Sequence, residues 1–239
     1  MQKVVEVLTN REELIDRSLS VVRSKIQAAI AERGICTIAL AGGSTPEPLY
    51  KAIATEDLAW DKIHVFWGDE RYVPSDHPDS NQKMARLAWL DQVNIPASNI
   101  HPMPTGSADP AADALAHQTE LQQFFKVSDG EFPAIDIILL GIGDDAHTAS
   151  LFPHTAALKV RDALVTVGNK DDQPRITFTV PLINHARCVI FMVAGGSKKP
   201  ALAQIFAPAA DDMTYPSRLI QPSGELLWLL DVAAGEELQ

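Results

Sequence analysis

Cysteine and long apolar runs are scarce in this chain of 239 residues. The two cysteines, Cys36 and Cys188, lie inside apolar, strand-like runs, which favours reduced core thiols over a disulfide or a reactive nucleophile. We therefore expect a cytoplasmic protein. No apolar run approaches the roughly 20 residues that span a bilayer, and residues 1–10 lack a basic flank ahead of a long apolar stretch. The sequence thus predicts neither membrane insertion nor a secretory signal.

Positive charge is also in deficit, since 20 lysines and arginines face 31 acidic residues and the formal net charge is -11. Such a chain is poorly suited to bind nucleic acid or an anionic membrane, so an anionic small molecule would need a local basic pocket. A hydrophobic content of 46% over 239 residues is ample for a sizeable core. We expect one domain over residues 1–239, and no obligate protein partner is evident.

Strand-like and helix-like segments alternate along the chain. Apolar runs predict strands at 4–8, 35–41, 63–67, 135–140, 163–167, 176–179, 189–193 and 226–230. Helices are predicted from a capping box at 10–13 to Gly34, from an N-cap at Thr45, through Met84 and Leu90, over 109–121 and over 197–206. This alternation predicts a single α/β domain with a doubly wound, mostly parallel, Rossmann-like β-sheet and helices on both faces.

Polar, glycine-rich loops follow several of the predicted strands, which is where ligands bind in open α/β sheets. The first such loop is Gly42-Gly43-Ser44-Thr45, whose backbone N–H groups and two hydroxyls suit a phosphate. The same residues also suit an ordinary strand-to-helix turn capped by Thr45, with Pro46 in the first helical position. The chain contains no P-loop motif.

Residues 141–146 match a dinucleotide-binding pattern, G-x-G-x-x-A, directly after a predicted strand. Asp144 and Asp145 would place two carboxylates where a pyrophosphate must lie. Asp162, about 20 residues further on, precedes its strand instead of closing it, so it does not fit the ribose contact. We therefore expect no dinucleotide cofactor at this loop.

The same loop continues into Asp145-Ala146-His147, which we interpret as a general base with its carboxylate partner. A carboxylate two residues before a histidine can accept one imidazole N–H and leave the other nitrogen free to activate water. Asp144 is the substitute partner if the turn points Asp145 elsewhere. Alternatives are a structural loop histidine, or a metal site that adds His154, although the spacing matches no familiar ligand motif. The remaining histidines are predicted to be surface or capping residues: His64, His77, His101, His117 and His185.

Two more loops supply cationic side chains. After the 63–67 strand, Arg71 offers a planar fork for a phosphate, while Asp69 and Glu70 could hold that arginine or contact sugar hydroxyls. A solvated charge cluster is the alternative interpretation. After the 189–193 strand, Lys198 falls in the first turn of a helix, where it opposes the helix dipole unless an anion lies nearby. That placement favours a binding role.

Three stretches of this sequence together resemble the 6-phosphogluconolactonase family. They are residues 41–46 (AGGSTP), 67–81 (with WGDER and DHPDSN) and 140–153 (LGIGDDAHTASLFP), and the match spans nearly the whole chain. The resemblance implies hydrolysis of 6-phospho-D-glucono-1,5-lactone to 6-phosphogluconate, the second step of the oxidative pentose phosphate pathway, without a metal or nucleotide cofactor. The family usually has Asp-Gly-His where this chain has Asp145-Ala146-His147, so either Ala146 adopts a glycine-like backbone geometry or the loop shifts.

The resemblance also implies roles for individual residues. His147, held by Asp145, would deprotonate a water that attacks carbon 1 of the lactone and would then return the proton to the ring oxygen. Arg175 and Arg218 are further candidates for the basic pocket. The residues expected to bind the sugar phosphate are Gly42, Gly43, Ser44, Thr45, Asp69, Arg71 and Lys198.

Two other functions stay open. Glucosamine-6-phosphate deaminase shares the fold, but its pattern has Asp-Glu-Tyr at residues 69–71 and His-Ile-Ala-Phe-Asn-Glu-Pro at residues 147–153, so both positions favour the lactonase. A sugar-phosphate sensor domain would keep the phosphate loops without needing a base. Such a regulator should carry a basic DNA-binding segment, and this acidic chain has none.

Overall fold

Parallel strands form the centre of the structure, a computed structural model that describes residues 2–238 and leaves Met1 and Gln239 outside the described residues. The strands are β1 (Gln2–Leu8), β2 (Cys36–Leu40), β3 (Ile63–Trp67), β4 (Asp69–Arg71), β5 (Ile137–Leu140), β6 (Val165–Lys170), β7 (Gln173–Phe178), β8 (Cys188–Val193) and β9 (Glu225–Asp231). Six of them form one sheet in the order β1-β9-β8-β5-β2-β3, and every pair is parallel. The predicted mostly parallel sheet is confirmed.

Helices cover both faces of this sheet. They are α1 (Arg11–Arg33), α2 (Glu47–Ile53), α3 (Asn81–Ala88), α4 (Pro110–Phe125), α5 (Val180–Asn184), α6 (Lys199–Phe206) and α7 (Val232–Gly235). Buried side chains of α1, α2 and α3 join one apolar cluster, and those of α4 to α7 join a second cluster on the opposite face. The predicted doubly wound arrangement is therefore confirmed.

The inner strands of this sheet are mostly apolar because both faces of the sheet are covered. In β2, Ile38 and Leu40 contact the α1 to α3 side, whereas Ala39 between them contacts the other side. On that other side, the rings of Phe191 and Trp228 stack with their centroids 3.9 Å apart. This two-sided core holds the carboxyl ends of the strands, and the loops that follow them, in fixed positions.

The predicted helix ends are right at α1 and wrong at α2. The Asn10 side chain accepts the Glu13 N–H at 2.9 Å, and the helix ends at Gly34 in the left-handed region with φ 83°. At α2 the N-cap is Pro46, without a side-chain cap bond, so Thr45 is not the capping residue. The helix predicted over 197–206 divides into a 3-10 turn (Gly196–Lys198) followed by α6.

A second, antiparallel sheet lies beside the first, and the sequence did not indicate it. It consists of β4, β7 and β6 in that order, so the predicted polar loop at 69–71 is a short strand. Gly68 joins the two sheets because its N–H donates to the Leu40 carbonyl at 2.9 Å while its own carbonyl accepts the Phe178 N–H at 2.8 Å. This junction places Arg71 just beyond the carboxyl end of β3.

Three of the histidines predicted to be surface or capping residues form a partly buried cluster instead. The ring nitrogens His64 Nδ1 and His101 Nε2 are 3.1 Å apart, and the Glu120 carboxylate contacts Nδ1 of both His101 and His117 at 2.9 and 3.1 Å. Hydrogen bonds from these two rings lower the pKa of Glu120 to about 2. His117 is fully buried, so the prediction is wrong for this residue. The Glu120 carboxylate at Nδ1 and the stacked ring of Phe178 offset part of the cost of burial, while Nε2 has no hydrogen-bond partner.

Both cysteines are buried and free, as predicted. Burial raises the pKa of the Cys188 thiol to about 11, which keeps it protonated and unreactive. Within residues 2–238, no helix combines the length and the apolar character that crossing a bilayer requires.

Candidate active site

A cavity of about 270 Å³ opens where the loops after β2, β3, β5 and β8 meet. Parallel strands bring their carboxyl ends to one edge of a sheet, which explains why loops far apart in sequence converge here. Asp145 contacts a lining residue without lining the cavity itself. The candidate residues that do line it are Gly42, Gly43, Ser44, Thr45, Asp69, Arg71, His147, Arg175 and Lys198.

His147 and Asp145 form a close pair at one end of the cavity. His147 Nδ1 lies 2.5 Å from Asp145 Oδ1, and the backbone N–H of His147 donates to the same oxygen at 3.2 Å. Burial opposes ionisation of Asp145, but the hydrogen bond and charge of His147 outweigh it and lower the pKa of the carboxyl to about 2. An ionised Asp145 fixes the proton on Nδ1, so Nε2 is left as the acceptor.

Gly143 makes room for this pair. A Cβ at Gly143 would lie 2.1 Å from His147 Nδ1 and 2.5 Å from Asp145 Oδ1, far inside contact distance. The Gly143 N–H also donates to the His147 carbonyl at 2.9 Å, which closes the loop into a tight turn. The second glycine of the pattern that resembles a dinucleotide motif is therefore required by the packing of the histidine and its carboxylate.

Ala146, between the two paired residues, adopts the conformation that glycine usually supplies. Its φ is 61°, in the left-handed region, so the first of the two expected possibilities at this position is the one observed. The Ala146 carbonyl accepts the N–H and hydroxyl of Ser217 at 3.0 and 2.7 Å, and its methyl group is fully buried. These contacts hold the alanine in a conformation that it would otherwise avoid.

Phe152 lies between the histidine and the basic part of the cavity, and sequence reasoning gave it no role. Its ring centroid is 4.4 Å from that of His147, and the Arg175 guanidinium carbon is 5.5 Å from it on the ring face. The ring is 4% exposed. The sequence did contain a signal for this role. Phe152 is a large aromatic residue in a loop predicted to be polar, and no strand or helix periodicity accounts for its burial.

Arg71 and Arg175 lie side by side at the other end of the cavity. They are directly opposite each other in the antiparallel pair of β4 and β7. In the described part of the chain, neither guanidinium lies within 4.0 Å of a carboxylate, and Arg71 Nε is buried without a hydrogen-bond partner. Burial lowers the pKa of Arg175; the charge of Asp69 opposes this shift, and the charge of Arg71 adds to it. Two adjacent, unneutralised guanidinium groups form a strong anion site.

Lys198 also faces the cavity, but it is already paired. Its Nζ donates to Asp144 Oδ1 at 2.7 Å, and this contact lowers the pKa of Asp144. Asp144 is therefore the partner of Lys198 and not the substitute partner of His147.

Arg218, a candidate from the sequence, and Lys199, next to Lys198, lie outside the cavity lining. Arg218 pairs with Asp212 at 2.7 Å and donates to carbonyls at the end of α6, where it closes that helix. Lys199 pairs with Glu236 at 2.7 Å. The expectation that Arg218 belongs to the basic pocket is wrong, because the end of α6 satisfies its donors.

The neighbouring carboxylates Asp69 and Glu70 have different surroundings. Asp69 lines the cavity and accepts the Ser150 hydroxyl at 2.6 Å, which ties β4 to the loop that follows His147. Glu70 is buried and turned toward the start of α3. It accepts N–H groups from Arg71, Asn81 and Gln82 at 2.7 to 2.8 Å, together with the Ser80 hydroxyl at 3.1 Å. Glu70 thus acts as an anchor and not as a sugar contact.

The 42–45 loop is held from several sides. Tyr50 donates its hydroxyl to the Ala41 carbonyl at 2.7 Å and accepts the Ala41 N–H at 3.0 Å, which secures the end of β2. Arg11 donates to the Ser44 carbonyl at 2.8 Å. Gly43 has φ 91° and open space around its Cα, so it fits the turn by conformation. The loop therefore presents its hydroxyls and N–H groups from a braced backbone.

The metal site considered from the sequence does not assemble in the described residues. Among residues 2–238, no group of three or more histidine, cysteine or acidic side chains is arranged to hold a metal ion. His154, which that site required, lies with its Nε2 3.3 Å from the Thr214 hydroxyl.

Comparison with known proteins places this arrangement in a family. Residues 9–228 match the family model described as glucosamine-6-phosphate isomerases/6-phosphogluconolactonase. Proteins named 6-phosphogluconolactonase from Nostoc sp. and Synechocystis sp. are 66% and 65% identical, with the alignments covering 99% and 100% of those proteins and 100% of this chain. The solved 6-phosphogluconolactonase of Trypanosoma brucei superposes with a TM-score of 0.87 at 31% identity, covering 100% of this chain and 99% of that one. The chain therefore belongs to the glucosamine-6-phosphate isomerase/6-phosphogluconolactonase family.

Proposed function

We propose that this protein hydrolyses 6-phospho-D-glucono-1,5-lactone to 6-phospho-D-gluconate. One observation carries the proposal: a single cavity has a His147–Asp145 pair at one end and an unneutralised pair of arginines at the other. A phosphorylated lactone needs both features, since its phosphate is a dianion and its ester carbon requires an activated water. Relatives about two thirds identical over their full lengths carry the lactonase name, which supports the same reaction here.

His147 serves as the general base in this mechanism. With Nδ1–H donated to Asp145, Nε2 accepts a proton from a water, and the resulting hydroxide attacks carbon 1. The tetrahedral intermediate then expels the ring oxygen, the bond from carbon 1 to that oxygen breaks, and His147 returns the proton to it. General base catalysis of this kind contributes on the order of 10² to 10⁴ in rate.

The basic end of the cavity positions the substrate. Arg71 and Arg175 bind the 6-phosphate through charge-assisted hydrogen bonds, and the 42–45 loop adds N–H and hydroxyl donors. The Lys198 ammonium group, which donates to Asp144, also donates a hydrogen bond to the ligand. Fixing the phosphate at one end holds carbon 1 over the histidine at the other, which reduces the entropic cost of reaching the transition state.

The test is the rate of acid release from freshly generated lactone, corrected for spontaneous opening in buffer. The wild type and the exposed-histidine control His185→Ala should open the lactone rapidly, while His147→Ala should lose about 10² to 10⁴ of the rate. Glucosamine 6-phosphate is assayed in parallel for release of ammonia. Lactone opening no faster than in buffer would contradict the proposal. Ammonia release would then indicate the deaminase, and binding without turnover would indicate the sensor.

We also infer a cytoplasmic site of action. The inference is supported by the two buried thiols that stay free of a disulfide. Fractionation of the native host, with the protein followed by antibody, tests it, and recovery in an extracytoplasmic fraction would contradict it.

A further inference from the structure

Asn81 is a buried polar residue at the cavity whose hydrogen bonding is incomplete. It is the first residue of α3 and is 1% exposed. Its Nδ2 donates to the Asp69 carbonyl at 2.9 Å, but its Oδ1 is buried without a hydrogen-bond partner. Buried polar atoms are nearly always paired, so an orphaned amide oxygen beside a binding cavity calls for an explanation.

The Asn81 carboxamide is fixed in this position by its contact with Gly42, which gives the oxygen no hydrogen bond. A Cβ built on Gly42 would lie 1.9 Å from Asn81 Oδ1, 2.4 Å from its Cγ and 2.6 Å from its Nδ2. The whole carboxamide therefore lies flat against the Gly42 backbone. Gly42, unlike Gly43, does not have a positive φ, so glycine is required there to admit Asn81 and not to make the turn.

Asn81 is itself fixed by the residue that fixes Arg71. The Glu70 carboxylate accepts the Asn81 N–H at 2.7 Å and the Arg71 N–H at 2.8 Å through the same oxygen. One buried anchor thus determines the position of the arginine on β4 and, through the Asn81 side chain, of the glycine loop after β2.

We propose that Asn81 is a positioning residue that holds the 42–45 loop in register with Arg71, so that both grip one phosphate group. The proposal rests on the proposed function. The Asn81 side chain packs on the 42–45 loop and donates to the Asp69 carbonyl, and it makes no hydrogen bond to His147, so it acts on binding of the phosphate end. Its loss should raise KM and weaken phosphate binding while kcat changes little, because displaced binding groups act on ground state and transition state alike.

A double-mutant cycle tests the contact directly, using Asn81→Ala, Gly42→Ala and the combined variant. The neighbouring Gln82→Ala is the matched control, because the Gln82 side chain is not part of this contact and its backbone N–H is retained. Each variant is assayed for KM and kcat on the lactone, and for binding of 6-phospho-D-gluconate and inorganic phosphate by titration calorimetry. Thermal unfolding confirms that each variant is folded.

Gly42→Ala should raise KM and both dissociation constants by about 10- to 100-fold, because its methyl group displaces either the loop or Asn81. Asn81→Ala alone should raise them by about tenfold. In the combined variant, the methyl group occupies space that the carboxamide has vacated. Adding Gly42→Ala to Asn81→Ala should therefore raise KM and the dissociation constants by less than about threefold. Gln82→Ala should match the wild type.

Independent, multiplicative effects of the two substitutions would overturn the proposal, as would a fall in kcat at unchanged KM. The binding arm separates this failure from that of the proposed function. If the wild type binds 6-phospho-D-gluconate but does not open the lactone, and the dissociation constants of the variants show the predicted coupling, the lactonase proposal fails and the role of Asn81 stands. If the wild type binds neither phosphate ligand and shows no turnover, both proposals fail.

Discussion

The two ends of the cavity differ in how their charges are balanced. At the base end, His147 has its own carboxylate 2.5 Å away, and the loop around them is closed by backbone hydrogen bonds. At the arginine end, Arg71 and Arg175 lie side by side without a carboxylate within 4.0 Å in the described part of the chain. The base end is therefore complete before any ligand arrives, whereas the arginine end is completed by the ligand.

This difference follows from the demands on each end. A general base must hold one tautomer and one orientation at the moment of proton transfer, so its partner has to be built into the protein. A binding site gains affinity only from donors that are still free, and a carboxylate beside the arginines would compete with the phosphate. Lys198, paired with Asp144, lies between these extremes.

The largest effect should come from breaking the base end with Asp145→Asn. Asparagine keeps the shape but can present an N–H toward Nδ1, which favours the wrong tautomer, so kcat should fall by about 10² to 10⁴ with KM within about threefold. The adjacent Asp144→Asn should instead alter KM, because that carboxylate pairs with Lys198. Steady-state kinetics of both variants check this. Equal losses of kcat would show that the two carboxylates do not belong to different ends.

Breaking the arginine end should give the next largest effect. Arg175→Ala removes one guanidinium, and a charge-assisted hydrogen bond is worth about 1.5–3 kcal/mol, so KM should rise by about 10- to 100-fold with little change in kcat. Arg218→Ala is the matched control, because that arginine pairs with Asp212 away from the cavity. Comparable loss of kcat in Arg175→Ala would mean that this residue also stabilises the transition state.

A smaller effect is expected in the pH dependence of stability, to which the carboxylate of the base end contributes. Asp145 has a folded pKa of about 2 against an ordinary value of 3.8, so its pairing stabilises the fold above about pH 4. That contribution is lost as the pH falls through about 2, below which the carboxyl is protonated in both states. The gap in unfolding free energy between wild type and Asp145→Asn should therefore shrink from pH 5 to pH 2.5 in urea titrations. If this difference in unfolding free energy grew on acidification, it would contradict a pairing that stabilises the fold through the ionised carboxylate.

The smallest effect is expected at Ala146, the strained residue of the base end. Ala146→Gly removes the strain of a left-handed alanine, which should stabilise the fold by about 1–2 kcal/mol. The same change removes a buried methyl group and makes the unfolded chain more flexible, and these two effects together should destabilise the fold by a similar amount. Stability should therefore change by less than about 1 kcal/mol, and activity by less than about twofold. Ala108→Gly is the control, because it has φ 65° but is exposed, so there the relief should dominate. Urea midpoints measure both, and a large loss of kcat in Ala146→Gly would contradict the expectation.

Sequence patterns predicted the parallel sheet because each of its strands contains an apolar stretch of ordinary strand length. They missed β4, since Asp69-Glu70-Arg71 has no apolar residue, and its pairing with β7 depends on a segment far along the chain. The Asp145–His147 contact was predictable because it is local. The contact of Asn81 with Gly42 and the anchoring by Glu70 were not predictable, because both join segments that are separate in sequence. A glycine in a sequence also does not reveal which neighbouring side chain requires it.

The pairing of β4 with β7 has a consequence for folding. Arg71 and Arg175 are separated by roughly 100 positions, so the anion site requires closure of a long loop and has no counterpart in the unfolded chain. A phosphate bound there associates with the native state alone and shifts the folding equilibrium toward it by mass action. The phosphorylated metabolite that this cavity is suited to bind would therefore also protect this protein against unfolding and proteolysis.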